Sequence, residues 1–246
     1  RSGCIGSNFW KSMLKKWVND VGIVRWDELT YAGNPMTIKD EIKLPNFTFV
    51  KGDIGDRELV TKIMNEFDPD FVVNFAAESH VDRSIENPRL FLETNILGTQ
   101  NMLDCAREAW FAGKDENGHN RYREGKKYLQ ISTDEVYGSL PKDFAEPQPL
   151  HLTDAVKEVV KGRTNLQTFG HGFFTEDTPL SPRSPYSAAK TGADLITQAY
   201  HETYGMPVNI TRCSNNYGPY HFPEKLIPLI IKNILEGKKL PVYGKG

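Results

Sequence analysis

Short apolar runs alternate with longer amphipathic segments along most of the chain. The short runs have the length and composition of buried strands, and they lie at residues 23–26, 47–50, 71–77, 128–132 and 208–213. Apolar residues at helical spacing predict helices over about 9–18, 59–67, 90–106, 186–204 and 225–236. This alternation predicts an α/β fold with a doubly wound parallel sheet that helices cover on both faces. Such a sheet binds ligands at the carboxyl ends of its strands.

Two stretches depart from the alternation. Residues 114–127 are polar and contain two glycines, which predicts a surface loop. Residues 140–174 form an insertion whose length is typical of functional or disordered loops, with one candidate helix at 154–161. After residue 212 the pattern changes, so we expect one domain over 1–212 and the start of a second, incomplete domain over 213–246.

Composition narrows the class of protein. Hydrophobic residues make up 39% and charged residues 25%, a balance typical of globular proteins, and the net charge of -2 gives no basic excess for nucleic acid. No apolar run reaches the ~20 residues of a membrane span, and residues 1–7 lack the apolar core of a signal peptide. The three separated cysteines indicate reduced thiols and a cytoplasmic protein, and the six histidines show no metal-ligand spacing.

Glycines near the start suggest a phosphate site. Gly3 and Gly6 precede the first predicted helix, where the backbone can approach a pyrophosphate and the helix N-terminus offers N–H groups. Asp27 ends the next strand, where a carboxylate accepts hydrogen bonds from an adenosine ribose and repels a 2′-phosphate. Asp53 and Ile54 follow the strand after that. The alternatives are a simple helix-entry turn for the glycines and an exposed turn for Asp27.

Tyr186 and Lys190 are four residues apart on a predicted helix, so their side chains share one face. A phenol has a pKa near ~10 and is a poor base, but a nearby ammonium favours phenolate. Together they make a proton acceptor for an alcohol that is being oxidised. The alternative is an exposed pair without chemistry.

Asp134 and Glu135 are adjacent carboxyl groups directly after the strand at 128–132. Two such groups divide acid and base roles when their environments separate their pKa values. A helix N-cap or a solvated turn is the alternative. Polar residues also follow two other strands: residues 78–83 come after the strand at 71–77, and residues 215–219 come after the strand at 208–213. Lys225 comes shortly afterwards and is a candidate phosphate ligand.

Taken in order, these motifs resemble the extended short-chain dehydrogenase/reductase family, with its Rossmann-like fold. Longer runs resemble the dTDP-glucose 4,6-dehydratase family within it, namely LTYAGN at 29–34, AAESHVD at 76–82, STDEVYG at 132–138, RCSNNYGPY at 212–220 and FPEKLIP at 222–228. These runs cover nearly the whole chain apart from the two polar insertions.

The resemblance implies bound NAD, a dTDP-hexose substrate and a homodimer formed through the helices that contain Leu90 and Tyr186. The implied NAD contacts, together with the glycine turn, are Gly3, Cys4, Ile5, Gly6, Asp27, Glu28, Leu29, Thr30, Asp53, Ile54, Phe75, Ala76, Ala77, Glu78, Ser79, Thr94, Tyr186, Lys190 and Asn216. The implied substrate contacts are Ser79, Thr133, Asn215, Lys225, Leu226, Pro241 and Tyr243.

The resemblance also implies a reaction, in which five residues are catalytic. Tyr186 takes the O4 proton during oxidation at C4, with Lys190 tuning it and binding the nicotinamide ribose and Thr133 bonded to O4. Glu135 then removes the C5 proton while Asp134 protonates the departing C6 hydroxyl, and hydride returns to C6. This is a lyase that regenerates its NAD and yields a 4-keto-6-deoxy sugar; the residues alone would allow Asp134 and Glu135 to exchange roles.

Three departures from the family accompany the resemblance. Arg1 and Ser2 stand where the family has Gly and Ala, the strand that precedes the glycine turn is missing, and the family continues beyond Gly246. We therefore expect the chain to be part of a longer protein. The alternatives are a nucleotide-sugar 4-epimerase or decarboxylase, neither of which needs the Asp134–Glu135 pair, and a non-catalytic NAD-binding scaffold.

Overall fold

Five parallel strands organise the fold in a computed structural model, which describes residues 3–18, 20–30, 35–140 and 174–240. Strand β1 (Ile23–Asp27) pairs with β2 (Phe47–Lys51), and a second ladder has the order β3 (Phe71–Asn74), β6 (Lys127–Thr133), β7 (Val208–Cys213). Every pairing in both ladders is parallel, so the predicted strand direction is confirmed. The carboxyl ends of β3, β6 and β7 therefore meet at one edge.

Helices separate the strands, as the periodicity predicts. They are α1 (Cys4–Lys16), α2 (Arg57–Phe67), α3 (Val81–Glu86), α4 (Pro88–Leu92), α5 (Gly98–Trp110), α6 (Pro185–Tyr204) and α7 (Leu226–Leu235). A π-helical turn, Glu93–Leu97, connects α4 with α5, and 3₁₀ turns occupy Pro35–Ile38, Glu41–Lys43 and Asp134–Tyr137. The α/β class is thereby confirmed.

The core forms where helix faces meet the β3–β6–β7 ladder. Apolar residues spaced three and four apart bury Val60 and Met64 of α2 against Leu103 and Ala106 of α5, in one cluster with Tyr128 of β6. Full burial of a Val, Leu or Met side chain stabilises the fold by about 1.5–3 kcal/mol. A smaller cluster packs α1 against β2 through Trp10, Leu14 and Phe47.

The strand expected at 71–77 is shorter than predicted. It ends at Asn74, because the Asn74 side-chain oxygen accepts a hydrogen bond from the Ala76 N–H at 3.0 Å and so closes a local turn. Phe71, at the other end, is exposed. The apolar residues after Asn74 therefore line a loop at the strand's carboxyl end.

The polar stretch expected as a loop at 114–127 contains a hairpin instead. Strand β4 (Phe111–Lys114) pairs antiparallel with β5 (Asn120–Tyr122). The Tyr122 hydroxyl and the Asn120 amide both donate hydrogen bonds to the Tyr204 carbonyl, at 2.9 and 3.3 Å. These contacts dock the hairpin on the end of α6.

One helix prediction changes, and one further helix forms where none was predicted. The helix expected at 90–106 is a run of α4, π turn and α5 that continues to Trp110, and the polar segment at 78–83 enters the short helix α3. The helix at 225–236 is confirmed as α7. Most of the insertion at 140–174, its candidate helix at 154–161, and Pro241 and Tyr243 lie outside the described residues. Among the residues that are described, no helix has the length and apolar character to cross a bilayer.

Candidate active site

The glycine turn lies at the start of α1. Gly3 is the N-cap residue with extended backbone, no side chain caps the helix, and the first turn carries no acidic residue. The backbone N–H groups of Cys4, Ile5 and Gly6 therefore lie in the first turn of α1, at the positive end of the helix dipole. This arrangement favours the binding of an anion such as phosphate.

Contacts from α1 join this turn to the other strand ends. The Phe9 ring lies 5.3 Å from the Phe75 ring, just after β3, and the Asn8 amide donates to the Pro219 carbonyl at 2.9 Å. The start of α1 therefore faces the edge where β3 and β7 end.

Asp27 lies at the end of β1 and is only 4% exposed, so the interpretation as an exposed turn is wrong. Its Oδ1 accepts the Leu29 N–H at 2.8 Å, and its Oδ2 lies 3.4 Å from the Arg25 guanidinium. Leu29 has a left-handed φ of 58°, which turns the chain sharply, and Glu28 and Thr30 line the cleft that follows. A fixed carboxylate at this strand end is the group expected to meet a ribose.

Asp53 and Ile54 follow β2. Asp53 is exposed, and its Oδ1 accepts the Gly55 N–H at 2.9 Å. Ile54 is buried, and its carbonyl accepts the Asn101 amide at 2.7 Å. The backbone at Ile54 is thus fixed against α5, with Asp53 beside it at the surface.

The loop after β3 holds the predicted cofactor residues Phe75, Ala76, Ala77, Glu78 and Ser79. Its position depends on Asn95, which is 1% exposed in the π turn next to Thr94. The Asn95 oxygen accepts the Glu78 N–H at 2.7 Å, and its amide donates to the Glu78 carbonyl at 3.0 Å. Asn95 thus pairs with the backbone as a neighbouring strand would.

A buried amide network continues inward from this loop. The Asn74 amide donates to the Gln130 side-chain oxygen at 3.0 Å and lies 3.3 Å from the Thr99 hydroxyl. The sequence motifs do not mark Asn74, Asn95 or Gln130 as site residues. The one available signal was an amide residue within an apolar strand or helix, where an unpaired polar group is costly.

A cleft of about 450 Å³ beside the loop is lined by Glu28, Thr30, Glu78, Arg83, Glu86, Asn87, Leu90, Phe91 and Thr94.

The adjacent carboxyl groups lie in a turn that we call the carboxylate turn (residues 133–138), directly after β6. Thr133 is the N-cap residue of its 3₁₀ helix, and its Oγ1 accepts the Glu135 N–H at 3.3 Å. The cap is therefore Thr133, and the interpretation of Asp134 and Glu135 as the N-cap is wrong. Gly138 ends the turn with φ 86°, and a Cβ there would lie 2.4 Å from the Ser181 carbonyl oxygen, so only glycine fits.

Glu135 is half-buried, and its surroundings change its acidity. Burial raises the pKa of Glu135, and the negative charge of Asp134 raises it further, whereas the positive charge of Lys225 opposes both. A carboxylate with a raised pKa is a better proton acceptor near neutral pH than an exposed one. The turn therefore places two carboxyl groups side by side, and the surroundings of Glu135 raise its pKa.

Tyr186 and Lys190 lie in the first turns of α6 and are 8% and 4% exposed, so the interpretation as an exposed pair is wrong. The Lys190 ammonium donates to the Ile131 carbonyl at 2.5 Å, which places it against β6 two residues before Thr133. A capping box between Ser184 and Ser187 fixes the start of the helix. The tyrosine–lysine face and the carboxylate turn thus meet at the end of the same strand.

The segment after β7 completes the edge. Asn215 and Asn216 are exposed, and the Asn216 amide donates to the Ser214 carbonyl at 2.8 Å. Lys225 donates to the Ser79 carbonyl at 3.4 Å, while the Leu226 side chain is 60% exposed. Lys225 therefore joins this segment to the β3 loop near Glu135. The substrate positions predicted at Pro241 and Tyr243 fall outside the described residues.

Comparison with known proteins identifies the family of the chain. The chain is 47% identical over 246 residues to a dTDP-glucose 4,6-dehydratase of Xanthomonas campestris pv. campestris, a match that covers 100% of the chain and 60% of that protein. It therefore spans about three fifths of the length of this relative.

Solved structures give the same result. A dTDP-glucose 4,6-dehydratase of Bacillus anthracis in complex with NAD superposes with a TM-score of 0.75 at 42% identity, covering 100% of the chain and 62% of that structure. A dTDP-glucose 4,6-dehydratase of Streptomyces venezuelae, also with NAD bound, gives 0.78 at 41% identity over 100% of the chain and 63% of that structure. A sequence model of the NAD dependent epimerase/dehydratase family matches residues 1–246, and so the chain, with its tyrosine–lysine helix and strand-end carboxyl groups, belongs to that family.

Proposed function

We propose that the full-length protein that carries this chain is an NAD-dependent dTDP-glucose 4,6-dehydratase. The observation that carries the proposal is the meeting of two pairs at the end of β6: the buried Tyr186 and Lys190 on α6, and Asp134 and Glu135 in the carboxylate turn. Oxidation at C4 needs the first pair, and elimination of water across C5 and C6 needs the second. Relatives with that name, 47% and 44% identical to the chain, support it.

The residues of this chain fit NAD. The start of α1 offers N–H groups for the diphosphate, Asp27 offers a fixed carboxylate to the adenosine ribose, and Ile54 and the β3 loop line the remaining path. Lys190 and Asn216 are the residues proposed to hold the nicotinamide end. The chemistry that bound NAD supplies is uptake of hydride from C4 and its return at C6.

Asp27 is expected to decide the choice between NAD and NADP. Asp27→Ala in the full-length protein should weaken NAD by about 10- to 100-fold, because a hydrogen bond to a charged group contributes about 1.5–3 kcal/mol. NADP should lose less, since its 2′-phosphate no longer faces a carboxylate. Calorimetric titration of both cofactors measures this, with Asp115→Ala in the exposed hairpin as the control. Equal NAD and NADP affinity in the unaltered protein would contradict this role of Asp27.

In the first half of the reaction, the Tyr186 phenolate takes the proton of the sugar O4 and becomes the neutral phenol. A lysine ammonium nearby stabilises phenolate, and Lys190 is fixed for this by the Ile131 carbonyl. The Thr133 hydroxyl holds O4 toward Tyr186. The new C4 ketone then acidifies the proton at C5.

In the second half, Glu135 removes the C5 proton and Asp134 protonates the departing C6 hydroxyl. Burial and the negative charge of Asp134 raise the pKa of Glu135, so its carboxylate, once ionised, is a stronger base than that of an exposed glutamate. The reverse assignment of the two carboxyl groups remains the competing mechanism, and the single variants distinguish them.

The rate of C5 proton loss should depend on pH through Glu135 and Lys225. Because the positive charge of Lys225 opposes the rise in the Glu135 pKa, Lys225→Gln should move the acidic limb of the pH–rate profile to higher pH. The elimination rate at saturating substrate, followed by C5 exchange with deuterated solvent, measures the shift. Lys232→Gln, an exposed lysine on α7, is the control. A limb that stays in place or moves to lower pH would contradict the coupling.

The nucleotide that the sugar carries is tested by product analysis. The full-length protein should convert dTDP-glucose into a 4-keto-6-deoxy product, and UDP-, GDP- and CDP-glucose more slowly.

Substrate contacts are proposed at Ser79, Thr133, Asn215, Lys225 and Leu226, with Pro241 and Tyr243 in the C-terminal part. We assign residues 1–212 to the NAD-binding domain and 213–246 to the start of the substrate domain.

A homodimer in the cytoplasm completes the proposal. Leu90 and Leu92 of α4, Leu97 of the π turn and Leu195 of α6 are 41–58% exposed, although α4 and the π turn both pack against α6. Contiguous exposed apolar side chains on one helical layer favour a subunit interface. Light scattering of the full-length protein should give twice the monomer mass.

A further inference from the structure

Arg212, near the end of β7, contacts both elements that carry the proposed catalytic residues. Its Nε donates to Asp194 Oδ2 of α6 at 2.8 Å, and its Nη1 donates to the Tyr137 hydroxyl of the carboxylate turn at 2.9 Å. In the β6–β7 register Arg212 lies opposite Ser132, the residue before Thr133. One side chain thus bridges the helix and the turn, while the backbone of Arg212 pairs with the strand that leads into the turn.

Asp194 lies one helical turn after Lys190, on the same face of α6 as Tyr186 and Lys190. It is 1% exposed, and among the described side chains its Oδ1 is a buried oxygen without a hydrogen-bond partner. A buried carboxylate needs a charge partner, and the Arg212 guanidinium is the cation that contacts it. The pair therefore fixes β7 to the helix at the level of the active site.

Tyr137 is the last residue of the 3₁₀ helix that begins with Asp134 and Glu135. Its ring is buried and stacks on the Phe174 ring, with 5.1 Å between the two ring centroids. The guanidinium carbon of Arg212 also lies 5.1 Å from the centroid of the Tyr137 ring. The Arg212 hydrogen bond adds a directional contact to this stacking. The orientation of the turn is therefore set by Arg212 as well as by Thr133.

We propose that Arg212 is a positioning residue, which holds the carboxylate turn at a fixed distance from the tyrosine–lysine face of α6. The proposal rests on the proposed function, because elimination at C5 must follow oxidation at C4 on one bound sugar. A planar guanidinium whose separate N–H groups bind two partners fixes their geometry more firmly than an ammonium does. Misplacement of a reacting group by about 1 Å costs up to about 100-fold in rate.

The test removes a single hydroxyl. Tyr137→Phe keeps the ring but not the acceptor for Arg212, and Tyr200→Phe is the matched control, because it removes a tyrosine hydroxyl bonded to Asp104 at 2.8 Å further along α6. Amide hydrogen exchange across residues 133–138, without substrate, should rise about tenfold in Tyr137→Phe. It should be unchanged in Tyr200→Phe, with similar melting temperatures for both.

Single-turnover kinetics give the second readout. In Tyr137→Phe, C4 oxidation should keep its rate while elimination slows about tenfold, and Arg212→Lys should show the same split. Unchanged exchange and unchanged rates, or equal slowing of both steps with a lower melting temperature, would overturn the proposal. An unaltered full-length protein that makes no keto sugar would overturn the proposed function, while the exchange result would still decide whether Arg212 holds the turn.

Discussion

Glu135→Gln in the full-length protein is expected to abolish dehydration while leaving oxidation at C4 intact. The amide has nearly the same shape as the carboxyl group but cannot accept the C5 proton, and loss of a positioned base costs about 10²–10⁴ in rate. The absorbance of reduced nicotinamide should therefore appear on mixing with dTDP-glucose and persist, without a 6-deoxy product. Solvent deuterium should fail to enter C5.

Asp134→Asn separates this mechanism from the reversed one. With Glu135 as the base, the asparagine variant should still exchange the C5 proton with solvent, because only the proton for the departing hydroxyl is missing. If Asp134→Asn blocks C5 exchange and Glu135→Gln permits it, the two carboxyl groups have the opposite roles. Near-parental dehydration by both variants would show that the carboxylate turn has no catalytic role.

Tyr186→Phe is expected to stop the reaction one step earlier. The phenylalanine ring fills the same buried place, 6.3 Å from the Phe91 ring, but it has no oxygen to take the O4 proton. Reduced nicotinamide should therefore not form, and turnover should fall by about 10²–10⁴. Stopped-flow absorbance measures the oxidation step directly.

Binding measurements identify the cause of that loss. NAD affinity and melting temperature should stay close to those of the unaltered protein, because only one hydroxyl is removed. Reduced nicotinamide that forms at the parental rate in Tyr186→Phe would assign the O4 proton to another group. A variant that fails to bind NAD would instead give Tyr186 a structural part in the cofactor site.

The local patterns predicted the elements that carry the proposed chemistry. Tyr186 and Lys190 share a face because i and i+4 positions always do in a helix, and the strand at 208–213 is predicted by the local alternation of apolar and polar residues that begins at Val208. Both features depend on neighbours in sequence, so a single sequence suffices to see them.

Features that depend on distant partners were not predictable in this way. Asn95 is bonded to Glu78, 17 residues away, and Asn74 to Gln130, 56 residues away, so no local period marks these amides. The turn and the second strand of the β4–β5 hairpin are mostly polar, and the hairpin is fixed by the Tyr204 carbonyl at the end of α6. The early end of β3 follows from the Asn74 side chain, which competes with the strand ladder.

The most direct test of the proposed function follows one hydrogen atom. The full-length protein is incubated with dTDP-glucose that carries deuterium at C4, and the product is analysed by NMR and mass spectrometry. Oxidation at C4, elimination and hydride return predict a 4-keto-6-deoxy sugar with the deuterium at C6. Recovery of the C4 epimer with deuterium still at C4, or of unchanged substrate only, would contradict the dehydratase assignment.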